Sequence, residues 1–465
     1  MSRHNVITTF LSVAACKLCR TALRVLKRGG TTLPGRAALF FDKKILEVVS
    51  SDMEIIVVTG TNGKTTTCGL LRQALHSAGI DVLSNRSGAN LLTGITAEFT
   101  CNAGPLGHAK KHYAIIECDE GALKRVVPLI HPKVILVTNL FRDQLDRYGE
   151  VMHTLSAIRE GVSLVPESIL CLNADCSLTS SLAGDVPNKT VYYGIDTATG
   201  DESADKLSDA KYCIKCGTEY IYNFHTYAHL GDFYCPECGY KRVTPDIAVT
   251  AVKSLTAKGT SVSLRYKDNK GTDVEKDVRI GLPALYNVYN ALAAISAFKT
   301  AGFNIKYILR SLTKVNSSFG RMETFNYKNT DIQMILVKNP AGCNQALSYL
   351  ASLSQDYVAV FCLNDKTADG HDISWIWDAD YEKVCHDENC KKIYVTGTRG
   401  EDMQLRLKYA DVPEERIVLK PDDNSLIDAF TETGLPVFVL PNYTSMLSLR
   451  HVLGELSGKS EFWKG

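Results

Sequence analysis

The 465-residue sequence has no surplus of either charge: 52 Lys and Arg against 51 Asp and Glu leave a formal net charge of +1. That balance argues against a nucleic-acid binder working by bulk electrostatics. Uninterrupted apolar runs approaching the roughly 18 residues that span a bilayer are also missing, so no spanning segment is expected. Fifteen cysteines are spread over the whole length rather than crowded into a short domain. Such a distribution argues against a disulfide scaffold and for a reducing cytosol. What remains, 45% hydrophobic and 22% charged residues, is an ordinary globular composition, and the length asks for two or three domains.

One absence is local. No Asp or Glu occurs before Asp42, while Lys17, Arg20, Arg24, Lys27 and Arg28 recur at helical spacing. Leu11, Ala15, Leu18, Ala22 and Val25 fall on the opposite face, which predicts a basic amphipathic helix ended by Gly29 and Gly30. Such a helix has two uses: docking on its own domain, or resting on anionic lipid where a substrate is membrane-borne.

Residues 54–67, EIIVVTGTNGKTTT, read as a buried strand breaking into a glycine turn and then a helix. Gly60 and Gly63 allow the dihedrals that curl successive N–H groups of Thr61, Asn62, Thr65 and Thr66 around a phosphate. Lys64 would neutralise the outer phosphates of ATP, and the Thr65 hydroxyl stands where such loops ligate Mg²⁺. A general Walker pattern wants glycine five residues before Gly63, where this chain has Val58.

From Ile55 onward short apolar strands alternate with helical stretches, which predicts a doubly wound α/β sheet. A second alternation follows Arg321 and predicts a second, Rossmann-like α/β domain. The expected boundaries are a lead-in at 1–50, an ATP-binding domain at 51–310 and a last domain at 311–465. Within 205–244 the periodicity fails, and the segment reads as an insertion. It carries Cys213-x-x-Cys216 and Cys235-x-x-Cys238, each followed by glycine, a zinc-ribbon signature. Four thiolates close the Zn²⁺ shell and leave no position for substrate, so the metal is expected to staple a segment too small for its own core.

The strand 113–117 ends in carboxylates at the sheet edge where α/β proteins place ligands. Glu117 is the candidate Mg²⁺ ligand, with Asp119 and Glu120 as alternatives. The next strand runs into Thr138-Asn139 and on to Asp143-Gln144-Leu145-Asp146, and the Gln144 carbonyl could also ligate Mg²⁺. Asn287 and Asn290 on a later helix carry amides able to read both edges of adenine. Arg321, in Gly320-Arg321-Met322-Glu323, would clamp phosphate.

In this order these motifs resemble those of the Mur ligases and folylpolyglutamate synthetases: the short loop G-T-N-G-K-T-T, the T-N strand end, the paired asparagines and the G-R-x-E junction. Mur ligases have histidine where this chain has Gln144. The last domain resembles a narrower family. Its Lys338-Asn339-Pro340-Ala341-Gly342, its Leu363-Asn364-Asp365 leading to Asp369-Gly370-His371-Asp372-Ile373-Ser374-Trp375, and its Pro441-Asn442-Tyr443-Thr444-Ser445 are similar to MurT, the ligase subunits of lipid II isoglutaminyl synthases.

That resemblance implies ATP-dependent amidation of the α-carboxyl of D-glutamate in the lipid II stem peptide, through an acyl phosphate. Ammonia would come from a GatD-type glutaminase in a heterodimer, since this chain has no recognisable cysteine nucleophile turn of its own. The resemblance further implies that Asp372 completes the partner's Cys-His pair, while Asp365 and Asp369 form turns and Asp372 as a mere helix cap is the competing reading. A cytoplasmic location, with the inner membrane face within reach of the N-terminal helix, follows from the same comparison. Two other functions compete: an amino-acid-adding ligase, and a zinc-ribbon ATPase on nucleic acid, against which the neutral charge counts.

Overall fold

The computed structural model describes residues 5–26, 32–85, 89–142, 151–199, 209–256, 259–314 and 321–458. Gln144 lies outside them, as do Lys27 to Gly30; of Arg321 only the backbone is described. The chain divides into two compact units, one built from 1–141 and 151–315, the other from 142–150 and 316–465.

The first unit opens with three helices, α1 (Val6–Val25), α2 (Thr32–Phe41) and α3 (Ile45–Ser50). Helix α1 is long and apolar enough to cross a membrane by length and hydropathy, contrary to the expectation of no such segment, although Lys17 and Arg20 interrupt its apolar run. The core is a nine-stranded sheet of β1 (Glu54–Thr59), β2 (Val82–Ser84), β3 (Tyr113–Glu117), β4 (Val134–Val137), β5 (Ile169–Asn173), β6 (Thr190–Ile195), β9 (Ile247–Thr256), β10 (Gly259–Lys267) and β11 (Asp273–Ile280). Their order is β11-β10-β9-β6-β5-β4-β1-β3-β2.

From β2 through β9 every pairing is parallel. Parallel strands are covered on both faces, and the run Ile55-Ile56-Val57-Val58 is accordingly buried throughout. The chain leaves β1 toward β3 and β2, then crosses to β4, β5 and β6. The carboxyl end of β1 therefore sits where the winding reverses, the place where open α/β sheets bind ligands. The antiparallel β9-β10-β11 extension departs from the expected doubly wound pattern. Its charged alternation, as in Asp273–Ile280 with burial confined mainly to Val278 and Ile280, leaves one face in water.

Between β6 and β9 the insertion folds as a hairpin, β7 (Ile221–Tyr227) and β8 (Leu230–Tyr234), with a cysteine knuckle on each side. The second unit holds a six-stranded sheet ordered β12-β13-β17-β14-β15-β16, drawn from β12 (Arg321–Tyr327), β13 (Thr330–Ile335), β14 (Tyr357–Cys362), β15 (Cys390–Thr396), β16 (Ile417–Leu419) and β17 (Val437–Pro441). All pairings are parallel except β12 with β13. Val358, Val360, Val437 and Val439 pack there against Leu449 and Leu453 of the last helix, Tyr443–Leu456.

Candidate active site and the family it belongs to

Strand β1 ends at Thr59 and helix α4 (Lys64–Ser77) begins after a four-residue loop. Gly60 and Gly63, at φ 115° and 87°, make the turn that other residues resist. Gly60 is pressed against the end of β4: an added Cβ would stand 2.4 Å from Thr138 Oγ1. The loop is held from the same side. Asn139 Oδ1 accepts from the Asn62 N–H at 3.0 Å, the Thr138 hydroxyl donates to Asn62 O at 2.7 Å, and the Phe141 N–H donates to Thr61 Oγ1 at 3.1 Å. Thr61 and Thr66 are buried.

Two carboxylates from the end of β3 meet this loop. Thr65 Oγ1 donates to Glu117 Oε2 at 2.8 Å, and Lys64 Nζ to Glu120 Oε1 at 2.7 Å. Burial pushes the Glu120 carboxyl above the usual carboxylate range, with Lys64 opposing. Glu117 is fixed by Asn85, whose amide accepts from the Glu117 N–H and donates to its carbonyl, at 2.9 and 2.7 Å. Asn85 was not singled out in the sequence, where only its place just after the strand Val82–Ser84 could have drawn notice. Asp119 turns away, accepting from the Gly121 N–H at 3.0 Å. A hydroxyl and a carboxylate in contact at a helix start, beside an ammonium, form the donor set that fits a hard divalent cation bridging a triphosphate.

Asn287 and Asn290 stand on the helix Leu285–Thr300, both buried. Asn287 donates to Pro283 O at 2.6 Å, bracing the turn in which Ala284 holds φ 70°, and Asn290 donates to Asn287 Oδ1 at 3.1 Å. Between them sits Tyr289, which donates to Asp175 Oδ2 at 2.5 Å. Asp175 also receives the Arg242 guanidinium at 2.7 Å and the Ile195 N–H at 2.8 Å, and Arg242 reaches Asp196 at 2.9 Å. This buried node, invisible in the sequence because its members lie far apart along it, ties the insertion to the sheet and to the asparagine helix.

The four insertion cysteines, Cys213, Cys216, Cys235 and Cys238, bring their Sγ atoms within 4.8 Å of one another. Tetrahedral Zn²⁺ with bonds of about 2.3 Å needs sulfurs on the order of 3.8 Å apart, so the cluster fits that ion. Hydrogen bonding with Thr218 brings Cys216 down to about 6, favouring thiolate. Gly217 and Gly239, at φ 78° and 72°, let each knuckle turn back, and their N–H groups donate to Cys213 O and Cys235 O.

In the second unit the motif-bearing loops of the sequence converge at the carboxyl ends of β14 and β17. Asn364 and Asn442 exchange bonds, the Asn442 amide reaching Asn364 O at 2.6 Å. Asp369 accepts from the Thr444 N–H at 2.7 Å and is buried, and Asp365 accepts from Thr398 Oγ1 at 2.9 Å. Both bonds tie separate loops together, Asp369 to the start of the last helix and Asp365 to the loop after β15, rather than closing a turn of their own. Asp372 is half-buried and accepts from the Ser374 N–H at 2.8 Å; hydrogen bonding from the Ser374 hydroxyl, and then from that N–H, holds its carboxyl below the usual range. Glu323, beside Arg321, pairs with Arg450 at 3.0 Å.

Residues 58–228 match the Mur ligase middle domain and 336–446 the MurT ligase C-terminal domain. The MurT subunit of lipid II isoglutaminyl synthase from Streptococcus pneumoniae is 34% identical over 450 residues, covering 96% of this chain and 97% of that one. The corresponding Staphylococcus aureus subunit is 34% identical over 437 residues, covering 94% and 95%. This chain belongs to the MurT family. Like its relatives it is a Mur-type ligase, and Mur ligases use ATP and Mg²⁺. The MurT relatives are named as subunits, which implies a partner. Among solved structures, MurF from Acinetobacter baumannii shares the fold at a TM-score of 0.66 and 17% identity, covering 91% of this chain and 81% of that one. Mycobacterium tuberculosis folylpolyglutamate synthase does so at 0.61 and 12%, covering 95% and 99%.

Proposed function

We propose that this chain is the ATP-consuming half of a two-subunit amidotransferase that converts the α-carboxyl of D-glutamate in the lipid II stem peptide to the amide. The observation that carries the reading is the contact of Thr65 with Glu117 at 2.8 Å, set beside the Lys64 ammonium at the carboxyl edge of β1 and β3. A carboxylate is a poor electrophile; phosphorylation gives it a leaving group, and Mg²⁺ with Lys64 spreads the charge that develops. Residues 60–66 would cradle the phosphates, and Thr65, Glu117 and Gln144 would hold Mg²⁺. Asn287 and Asn290 would face the adenine, and Arg321 a phosphate. Cys213, Cys216, Cys235 and Cys238 would hold a structural Zn²⁺.

Ammonia is mostly protonated at neutral pH, so it has to be made and delivered under cover. A GatD-type glutaminase is the proposed source, with Asp372 orienting its histidine. The enzyme would work in the cytoplasm. Mixing the purified chain with such a glutaminase, lipid II, ATP, Mg²⁺ and glutamine should yield the small mass decrease of carboxyl-to-amide conversion. Unchanged lipid II with both subunits present would overturn the reading; a gain of one amino-acid mass would favour the amino-acid-adding ligase instead.

A further inference from the structure

Helix α1 is packed inside out. The side it turns to the protein is made of small and polar groups: the Ser12 hydroxyl donates to Ala38 O at 3.0 Å, Lys17 Nζ to Ala103 O at 2.6 Å, and Arg20 pairs with Glu98 at 3.1 Å. Thr9, Val13 and Cys16 complete that side. The opposite side repeats Ile7, Leu11, Leu18 and Val25 at intervals of four and seven, one helical stripe, and these four are exposed, Leu18 by 71% and Val25 by 78%. Helix α2 beside it adds Phe40, exposed by 83% and set edge-to-face against Phe41. A monomer rarely leaves so much large apolar side chain together in water.

We propose that this face docks on the anionic surface of a phospholipid bilayer, with α1 lying in the interface plane. Charge selects that occupant. The sequence before Asp42 contains no acidic residue, and Arg24 near the end of α1, Arg36 on α2 and Lys43 just after α2 are exposed. A second copy meeting this face about a two-fold axis would bring the same basic groups against one another. Negative headgroups attract them while the acyl boundary takes up the apolar stripe. Crossing the bilayer would tear Ser12, Lys17 and Arg20 from their partners, whereas docking in the plane leaves every one of those bonds in place. The benefit of docking to catalysis rests on the lipid-borne substrate proposed above; the surface itself does not.

The test is flotation of the purified full-length chain with vesicles of phosphatidylglycerol or of phosphatidylcholine. The chain should float with the first and not the second, and added salt should weaken it. Leu18→Glu with Val25→Glu, both at exposed positions, should cut binding at least tenfold without changing thermal unfolding, and Arg24→Glu with Arg36→Glu should do so by charge alone. Leu405→Glu, on an exposed position of the second unit, is the control that should float as the parent does. Binding that survives both double variants overturns the proposal, as does failure to float, or a concentration-dependent dimer that the leucine variant dissolves. Amidation of detergent-solubilised lipid II is read in parallel. Activity without flotation sinks the docking surface alone, and flotation without activity sinks the amidation reading alone.

Discussion

Asn290 Oδ1 lies 2.0 Å from where a Cβ on Gly63 would stand. The phosphate loop and the asparagine helix are thus in contact through a hydrogen atom, and the glycine is required both for its φ of 87° and for that contact. Gly63→Ala should weaken ATP binding by two orders of magnitude or more, measured by calorimetry. Gly69, in the middle of α4, has no atom within 4 Å of an added Cβ. Gly69→Ala should keep ATP binding and raise stability by about 0.5–1 kcal/mol in urea unfolding. Equal losses in both variants would show that general helix disruption, not the Asn290 contact, governs the loop.

Lys64 and Glu120 are both buried, and removing one partner of such a pair strands the other. Glu120→Gln should cost about 3 kcal/mol in the nucleotide-free chain. Because triphosphate oxygens can replace the lost countercharge, the rise in Tm on adding ATP and Mg²⁺ should be larger in Glu120→Gln than in the parent. Lys64→Ala should remove ATP-dependent amidation by at least a hundredfold while leaving the partner's glutaminase intact. An unchanged amidation rate would refute the phosphate role.

Arg242 is the insertion's charged link to Asp175, and its replacement leaves a buried carboxylate uncompensated. Arg242→Met should destabilise the first unit by about 3 kcal/mol, and urea unfolding will show it. Chelation of metal should lower Tm as well, in step with loss of one zinc per chain by atomic absorption. A metal-free chain with unchanged Tm would contradict the staple.

Asp372 has a depressed folded-state pKa, so the stability it contributes is present above the ordinary Asp value near 4 and is lost as pH falls through the lower folded value. It stays a carboxylate across the neutral range. Asp372→Asn should therefore suppress the partner's glutamine hydrolysis by tenfold or more at every pH from 6 to 8, with amidation from added ammonium spared. Glutaminase activity that persists would assign Asp372 to the turn at Ser374 alone.

The nucleotide loop was legible because glycine at positive φ and lysine at a helix start are local requirements, and the cysteine knuckles because each C-x-x-C with its glycine is a short local pattern. The second sheet was legible from its apolar runs after Arg321. Asn85 and the Asp175, Arg242 and Tyr289 node were hidden, since long-range hydrogen bonds leave no periodic trace. Periodicity also found the stripe of α1 but could not tell which side would be buried; Ser12, Lys17 and Arg20 decided that by finding partners in the protein.

The Asp175 node sets an order on the making of the protein. Its carboxylate lies on a segment synthesised well before Arg242 and Tyr289, and burial without them would leave a desolvated charge. A chain emerging from the ribosome can build β1 to β5 early, but this corner must stay wet until residue 289 has left the tunnel. The insertion is then less an ornament on a finished domain than the part whose arrival allows the domain to close.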